Sequence, residues 1–312
     1  MMRIGDNMQK ARIIYNPTSG RELVKKKLPD ILVTLEQAGY ETSAHATTGE
    51  GDATRAAQDT IRRGVDLVVA AGGDGTVYEV INGLAEQEHR PQLGILPAGT
   101  TNDFARALGI PRDLDEACNI IVAGHTQPTD IGKINDQYFI NVAGGGTLTE
   151  LTYEVPSKWK TMLGQLAYYA KGVEKLALLK PTRVHLKTKD TFIDEEIMMF
   201  LVANSQSIGG LNKIAPEANL QDGLFDVLVV KKTSIPEFIK IVTLALRGEH
   251  FKDPRVIYFR TRELKVTSKN NVQMNLDGEF GGHLPAHFKV LHEHLHVFVP
   301  LRPKNKQITE TK

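Results

Sequence analysis

Three short loops of this chain combine glycines with residues that bind phosphate or metal. Gly72-Gly73-Asp74-Gly75-Thr76 follows the apolar run LVVAA and opens a stretch of helical periodicity. Strand, glycine loop and helix start together aim backbone N–H groups and a helix N-terminus at an anion. Asp74 would repel phosphate, so a carboxylate there makes chemical sense when a divalent cation lies between them. Otherwise the loop is a tight turn with Asp74 as a local cap. Pro97-Ala98-Gly99-Thr100-Thr101-Asn102-Asp103 repeats the arrangement after Leu93-Gly94-Ile95-Leu96. There Thr100 offers a hydroxyl to phosphate and Asp103 a second carboxylate, or the pair only caps a helix. Asn16-Pro17-Thr18-Ser19-Gly20 is the third such loop. None of them is a Walker A or a GxGxxG sequence.

For these loops to act together, the strands before them must lie side by side. Residues 11–15, 40–46, 66–71 and 93–96 read as strands; 21–38, 53–63, 77–86, 103–108 and 115–123 read as helices. Such alternation predicts βαβ units on a parallel sheet, whose loops meet in one crevice at the strands' C-terminal ends. Asp103 is therefore expected to approach Asp74. Beyond Pro128 strand-like segments dominate. Residues 131–134 and 138–142 flank a hairpin at Asn135-Asp136, and strands are expected at 183–187, 197–202, 225–230, 256–259, 263–267, 272–276 and 292–299. Helical stretches at about 162–179 and 235–247 interrupt them. The expected fold class is α/β with two domains, one built on a parallel sheet and one mainly antiparallel and β-rich.

Composition narrows the function classes. With Lys+Arg 38 against Asp+Glu 37 the chain is nearly neutral, which argues against a nucleic-acid binder held by phosphate contacts. The single cysteine, Cys118, excludes an intrachain disulfide framework and suits a reducing compartment. The N-terminal MMRIGDNMQK lacks the apolar core of a signal peptide. No apolar run approaches the ~20 residues that a bilayer span needs. A cytoplasmic protein is expected, and 312 residues suit two domains.

Taken together, NPTSG, GGDGT and PAGTTND resemble the diacylglycerol kinase catalytic-domain family, which includes the sphingosine kinases. GGDG also occurs in NAD kinases and phosphofructokinases, whereas GTxND at this spacing is more specific to the lipid kinases. The resemblance continues through Leu220-Gln221-Asp222-Gly223-Leu224-Phe225-Asp226 and Leu276-Asp277-Gly278-Glu279, and is strongest to the soluble bacterial members. It implies a Rossmann-like nucleotide-binding α/β catalytic domain of residues 1–129, to which a tail of about 300–312 returns, and a mainly antiparallel, sandwich-like β-rich domain of residues 130–299 that binds lipid substrate and metal. It implies ATP and Mg²⁺ as cofactors, diacylglycerol at the membrane surface as partner, and a homodimer. By the same resemblance Asn16, Pro17, Thr18, Ser19, Gly20, Thr47, Gly73, Asp74, Gly75, Thr76, Val77, Tyr78, Glu79 and Thr100 form the nucleotide site. Asp74, Asp103 and Asp277 surround the catalytic Mg²⁺, and Glu279 is the general base. Asp222, with main-chain oxygens of residues such as Asn219 and Leu224, holds a structural Mg²⁺.

These roles are chemically coherent. Phosphoryl transfer needs charge neutralisation, in-line placement and a group that orients the attacking hydroxyl. Asp277 and Glu279 lie two apart, so on extended backbone they share a face, one toward metal and one toward substrate. Asp277-Gly278 is also a preferred hairpin turn, and Asp222-Gly223 admits the same reading. His292, His294 and His296 alternate along one strand but have neither a further ligand nor HExxH spacing. Cys118 reads as packing. Arg21 beside the first loop, with Lys158 and Lys160 around Trp159 and Lys171 further along, are the basic candidates for touching a membrane surface. The expected activity is ATP-dependent conversion of diacylglycerol to phosphatidic acid by a protein that visits the inner membrane surface transiently. The alternatives are a kinase of a sphingoid base, another lipid or NAD, and a non-catalytic nucleotide- or lipid-binding relative.

Overall fold

The computed structural model describes residues 8–146, 181–209 and 213–301. Strands β1 (Lys10–Tyr15), β2 (Glu41–Ala46), β3 (Leu67–Gly72) and β4 (Gln92–Pro97) form a parallel sheet in the order β2-β1-β3-β4. They are linked by α1 (Ser19–Gln37), α2 (Asp52–Arg62) and α3 (Asp74–Leu84). The crossover from β1 to β2 and that from β2 to β3 run in opposite directions, so right-handed connections put α1 and α2 on opposite faces. β3, with α1 and α3 packed against it, is buried at all six positions and is correspondingly a continuous apolar run. Gly83 lets α2 and α3 pack closely, since a β-carbon there would meet the Thr54 carbonyl oxygen at 2.5 Å. Short α4 (Asp103–Ala107) and α5 (Leu114–Val122) follow β4.

The second half is antiparallel. β5 (Thr126–Ile134) turns through Asn135, at φ 50°, into β6 (Gln137–Phe139), with Ile134 opposite Gln137. β7 (Val142–Gly146) joins β9 (Phe192–Ala203), which pairs with β8 (Thr182–Lys187) and, on its second half, also with β10 (Phe225–Lys231). Helix α6 (Ile235–Arg247) and β11 (Val256–Thr261) follow, then β12 (Glu263–Ser268), the β13–β14 hairpin (Gln273–Leu276 and Glu279–His283) and β15 (Ala286–Phe298). Phe139, Phe200, Phe225 and Phe288 fill this core, with Phe139 stacked on Phe225 at 5.4 Å.

β15 joins the two halves into one sheet. Its first part pairs with β12 and β5 in the β-rich half, and Val297 then lies parallel to Leu93 of β4. Between Leu291 and Leu295 the register against β5 shifts, with Glu293 at φ 49°. Leu295, Val297, Phe298 and Val299 are buried in the α/β core. The return to the first half therefore comes before residue 300, earlier than the expected tail, whose residues from 302 lie outside the described ones.

Several readings change. The strand expected at 131–134 begins at Thr126, and that expected at 197–202 begins at Phe192, where it pairs with β8. The strand expected at 138–142 is split into β6 and β7, because the N–H groups of Ile140, Asn141 and Val142 turn to the Asp277 carboxylate. The helix expected from Arg21 begins its right-handed turns only after Glu22, since Gly20, Arg21 and Glu22 are left-handed. The strand expected at 292–299 starts at Ala286, the alternation Ala286, Phe288, Val290 being buried.

Candidate active site

A cavity of about 370 Å³ opens at the C-terminal ends of β1, β2 and β3. This is where the strand order reverses, the crevice in which open α/β sheets bind ligands. Asn16, Pro17 and Thr18 line it from the first loop, Thr47, Thr48, Gly49 and Glu50 from the second, Ala53 from the start of α2, and Gly75, Thr76 and Glu79 from α3. The first loop is held by its own side chain: Asn16 Oδ1 accepts the Thr18 N–H at 3.0 Å and its hydroxyl at 2.9 Å. The second loop hangs on two carboxylates. Asp52 accepts the Thr48 N–H and hydroxyl, which hold its carboxyl down at about 2. Glu79 accepts the Gly51 and Ala53 N–H groups, each at 3.0 Å. Glu79 thus occupies the start of α2, leaving the start of α3 as the helix end open to an anion.

The expected meeting of loops occurs, and it is backbone on backbone. A β-carbon on Gly99 would stand 2.6 Å from the Gly73 Cα, and one on Gly20 2.9 Å from the Ala98 carbonyl oxygen. A β-carbon on Gly72 would strike Thr76 Oγ1 at 2.4 Å. Asn102, left-handed at φ 54°, closes the fourth loop by pairing its amide with both the N–H and the C=O of Gly99, each at 2.9 Å. Val77 is buried in the α/β core and Tyr78 packs toward the β-rich core, so neither side chain lines the cavity. Ser19, Gly20, Gly73 and Thr100 are also outside its lining.

Asp74 and Asp103 do come together. The Asp74 carboxylate accepts the N–H groups of Asn102 at 2.8 Å and Asp103 at 2.7 Å, and so caps α4 from the neighbouring loop. Burial, then the charge of Asp103, push the Asp74 carboxyl up from its ordinary range. Asp277 comes from the β-rich half, near enough for the charge of Asp74 to act on it. Its carboxylate accepts the N–H groups of Ile140, Asn141 and Val142 at 2.6, 2.8 and 2.9 Å. Desolvation nonetheless pushes it up to about 6, with the charge of Asp74 adding to the effect. The shared-face expectation for Asp277 and Glu279 fails. Asp277 and Gly278 have φ 51° and 102°, the two left-handed positions of a type I′-like turn, so the backbone between them is not extended. Glu279 starts β14 opposite Leu276 and is exposed.

Among the described residues no three His, Cys, Asp or Glu side chains form a metal cage. Asp74, Asp103 and Asp277 are hard oxygen donors whose charges oppose one another, a set that suits a small divalent cation completed by phosphate oxygens and water. The Asp222 loop is arranged differently. Asp222 Oδ1 accepts the Leu224 N–H at 3.0 Å, its other oxygen pairs with Arg260, and Asn219 Oδ1 accepts the Gln221 N–H at 3.1 Å. A cation there would share Asp222 with Arg260. His292 and His294 are also engaged, at Asp130 and at the Glu86 N–H, and burial lowers His294 to about 4. Arg21 is exposed beside Gly20; Lys158, Lys160, Lys171 and the helix expected at 162–179 lie outside the described residues.

Sequence reading missed Thr48, Gly49, Glu50 and Ala53 of the cavity wall. A signal existed, because Thr47-Thr48-Gly49 follows a strand and precedes a helix as the other three loops do. It also missed Asn102, Asn141, Ser205 and Ser207, buried polar residues whose hydrogen bonds leave no periodic trace.

Both halves of the chain are similar to known proteins. A profile of the diacylglycerol kinase catalytic domain matches residues 10–134, and one of the YegS C-terminal NAD kinase beta sandwich-like domain matches residues 151–299. A Bacillus subtilis protein named diacylglycerol kinase is 55% identical, the alignment covering 97% of this chain and 100% of that protein. A Staphylococcus aureus diacylglycerol kinase is 47% identical over 96% of this chain and 95% of that one. The crystal structure of a diacylglycerol kinase from Bacillus anthracis superposes with a TM-score of 0.79 at 29% identity, covering 95% of this chain and 98% of that one.

Proposed function

Since this chain belongs to the diacylglycerol kinase family, we propose that its cleft transfers the γ-phosphoryl group of ATP to the free hydroxyl of diacylglycerol, giving phosphatidic acid. The observation that carries the reading is the joining of Asp74 to the Asp103 backbone at the edge of a cavity walled by Asn16, Thr47 and Thr76, with Asp277 of the other half close enough to feel the charge of Asp74. The cavity seats the nucleoside, and the phosphates run toward the N-terminus of α3 and the Thr100 hydroxyl. The chemistry that a bound Mg²⁺ would supply is neutralisation of phosphate charge between ATP and the three aspartates. Backbone N–H groups at Gly73 to Thr76 orient the phosphates, and the rigid loop contact at Gly99 keeps them from drifting. Glu279, exposed beside the Asp277 turn, takes the proton from the attacking hydroxyl.

The acceptor reaches this cleft from a lipid surface. No helix among the described residues is long and apolar enough to cross a membrane. A cytoplasmic protein that docks transiently at the inner membrane surface, through Arg21 and the lysines 158, 160 and 171, is part of the same proposal, as is a homodimer. The test is ATP turnover against a panel of acceptors: diacylglycerol in anionic vesicles, a short-chain diacylglycerol free in solution, a sphingoid base and NAD. NAD is included because the profile matching the second half carries an NAD kinase name. Turnover with both diacylglycerols supports the reading, and Arg21→Ala should weaken the vesicle reaction alone. Turnover with the sphingoid base or NAD and none with diacylglycerol would replace it.

A further inference from the structure

The aspartates contributed by the two halves are tied together through the interior. Asp103 Oδ1 accepts the Ser207 hydroxyl at 2.6 Å. The Ser207 carbonyl accepts the Ser205 hydroxyl at 3.1 Å, and that same hydroxyl faces Asn141 Oδ1 at 2.9 Å, so one proton is shared between two acceptors. Asn141 in turn donates its backbone N–H to Asp277 at 2.8 Å. Its carbonyl accepts the N–H groups of Asn204 at 2.8 Å and Ser205 at 3.2 Å, which pins the segment in place. Ser205, Ser207 and Asn141 are 0%, 1% and 4% exposed. Polar groups this deep are costly unless every one is paired, and here the pairs run in sequence from one carboxylate to the other.

Asp103 opens α4 in the α/β half, while residues 204–207 follow β9 in the β-rich half. The hydroxyl of Ser207 therefore crosses the boundary. From this continuity we infer that Ser207, backed by Ser205 and Asn141, is a positioning residue for phosphoryl transfer: it holds the Asp103 carboxylate in register with that of Asp277. Ser207 is not among the residues that line the nucleotide cavity. Its effect falls on where the carboxylates stand, not on whether ATP enters. The inference rests on the kinase reading of the site, and goes beyond it by naming what sets the spacing of the two aspartates. A partly displaced carboxylate loses rate steeply, because electrostatic assistance depends on groups already in place.

The test compares Ser207→Ala, Ser207→Thr and Ser205→Ala with the parent enzyme. Ser207→Ala should lower kcat roughly 10- to 100-fold while KM for ATP stays within about twofold. Ser207→Thr, which keeps the hydroxyl, should recover most of that loss. Ser205→Ala should show a smaller loss with the same split. Mn²⁺ titrated into the nucleotide-free protein and followed by electron paramagnetic resonance should bind more weakly to Ser207→Ala than to the parent. Parent-like kcat in Ser207→Ala would overturn the inference. So would a fall in kcat matched by an equal rise in KM, or equal losses in Ser207→Thr and Ser207→Ala with unchanged Mn²⁺ affinity. A parent enzyme inactive toward diacylglycerol would instead overturn the kinase reading, and is recognised by the acceptor panel alone.

Discussion

Gly73 and Gly99 meet backbone to backbone, so close that a β-carbon on Gly99 would lie 2.6 Å from the Gly73 Cα. Two loops that sequence places 26 residues apart are thereby locked into one surface. Gly99→Ala should push them apart. Overpacking of this kind costs about 1–3 kcal/mol, or a fall of roughly 2–10 °C in melting temperature for a chain of this size. KM for ATP should rise with it. A variant that melts and binds ATP like the parent would show that the loops yield without cost.

Glu279 is the proposed base, and Glu279→Gln keeps its shape while removing proton acceptance. Turnover should drop about 10²- to 10⁴-fold, with ATP binding measured by calorimetry unchanged. Near-normal turnover would leave Asp277-Gly278-Glu279 with a role in turn geometry only.

Glu79 acts earlier, on the shape of the cavity. Its two oxygens take two N–H groups at the start of α2, and Glu79→Gln replaces one acceptor by a donor. Hydrogen bonds to a charged group contribute about 1.5–3 kcal/mol each, so loss of one should raise KM for ATP by roughly 10- to 100-fold. The maximal rate should change far less. A lowered kcat at unchanged KM would place Glu79 at the reacting phosphate instead.

Asp277 predicts a pH dependence of stability. Its carboxyl is lifted from 3.8 to about 6 in the folded chain, chiefly by desolvation. Between those values the unfolded chain has released a proton that the folded chain keeps, so this group lowers stability as pH rises from about 4 to about 6. Measured in chelator, the parent should lose melting temperature across that window relative to Asp277→Asn, which cannot titrate. The readout is the slope, since the Asn side chain also gives up acceptors for Ile140, Asn141 and Val142. Parallel slopes would mean that Asp277 is solvated.

Asp222 separates the two proposed cations. If a structural ion sits in its loop, the parent should melt higher in Mg²⁺ than in chelator, and Asp222→Asn should lose most of that difference. The same loss without any Mg²⁺ response would assign Asp222 to its pairing with Arg260 alone.

The α/β half was legible almost strand by strand, because parallel strands covered on both sides must be continuous apolar runs and the loops after them carry their own glycines. Leu67–Gly72 is the clearest case. The Asn135-Asp136 hairpin was legible from turn chemistry. What escaped depends on contacts distant in sequence. Nothing near Ile140 announces that a carboxylate from residue 277 will take its N–H and break the strand. Nothing near Asp277 announces left-handed backbone rather than an extended face, although Asp-Gly left that door open. Ser207 looks like any surface serine until the fold buries it against Asp103.

The pairing of Val297 with Leu93 has a consequence in time. β4 is synthesised about 200 residues before the strand that covers its edge, a gap of roughly 10–40 s at ~5–20 residues per second. Through that interval the first half carries an apolar strand with one unpaired side, the kind of edge on which chains associate wrongly. Whatever shields the nascent chain must act on β4, and a ribosome that stalls before the last strand leaves a first half that cannot close.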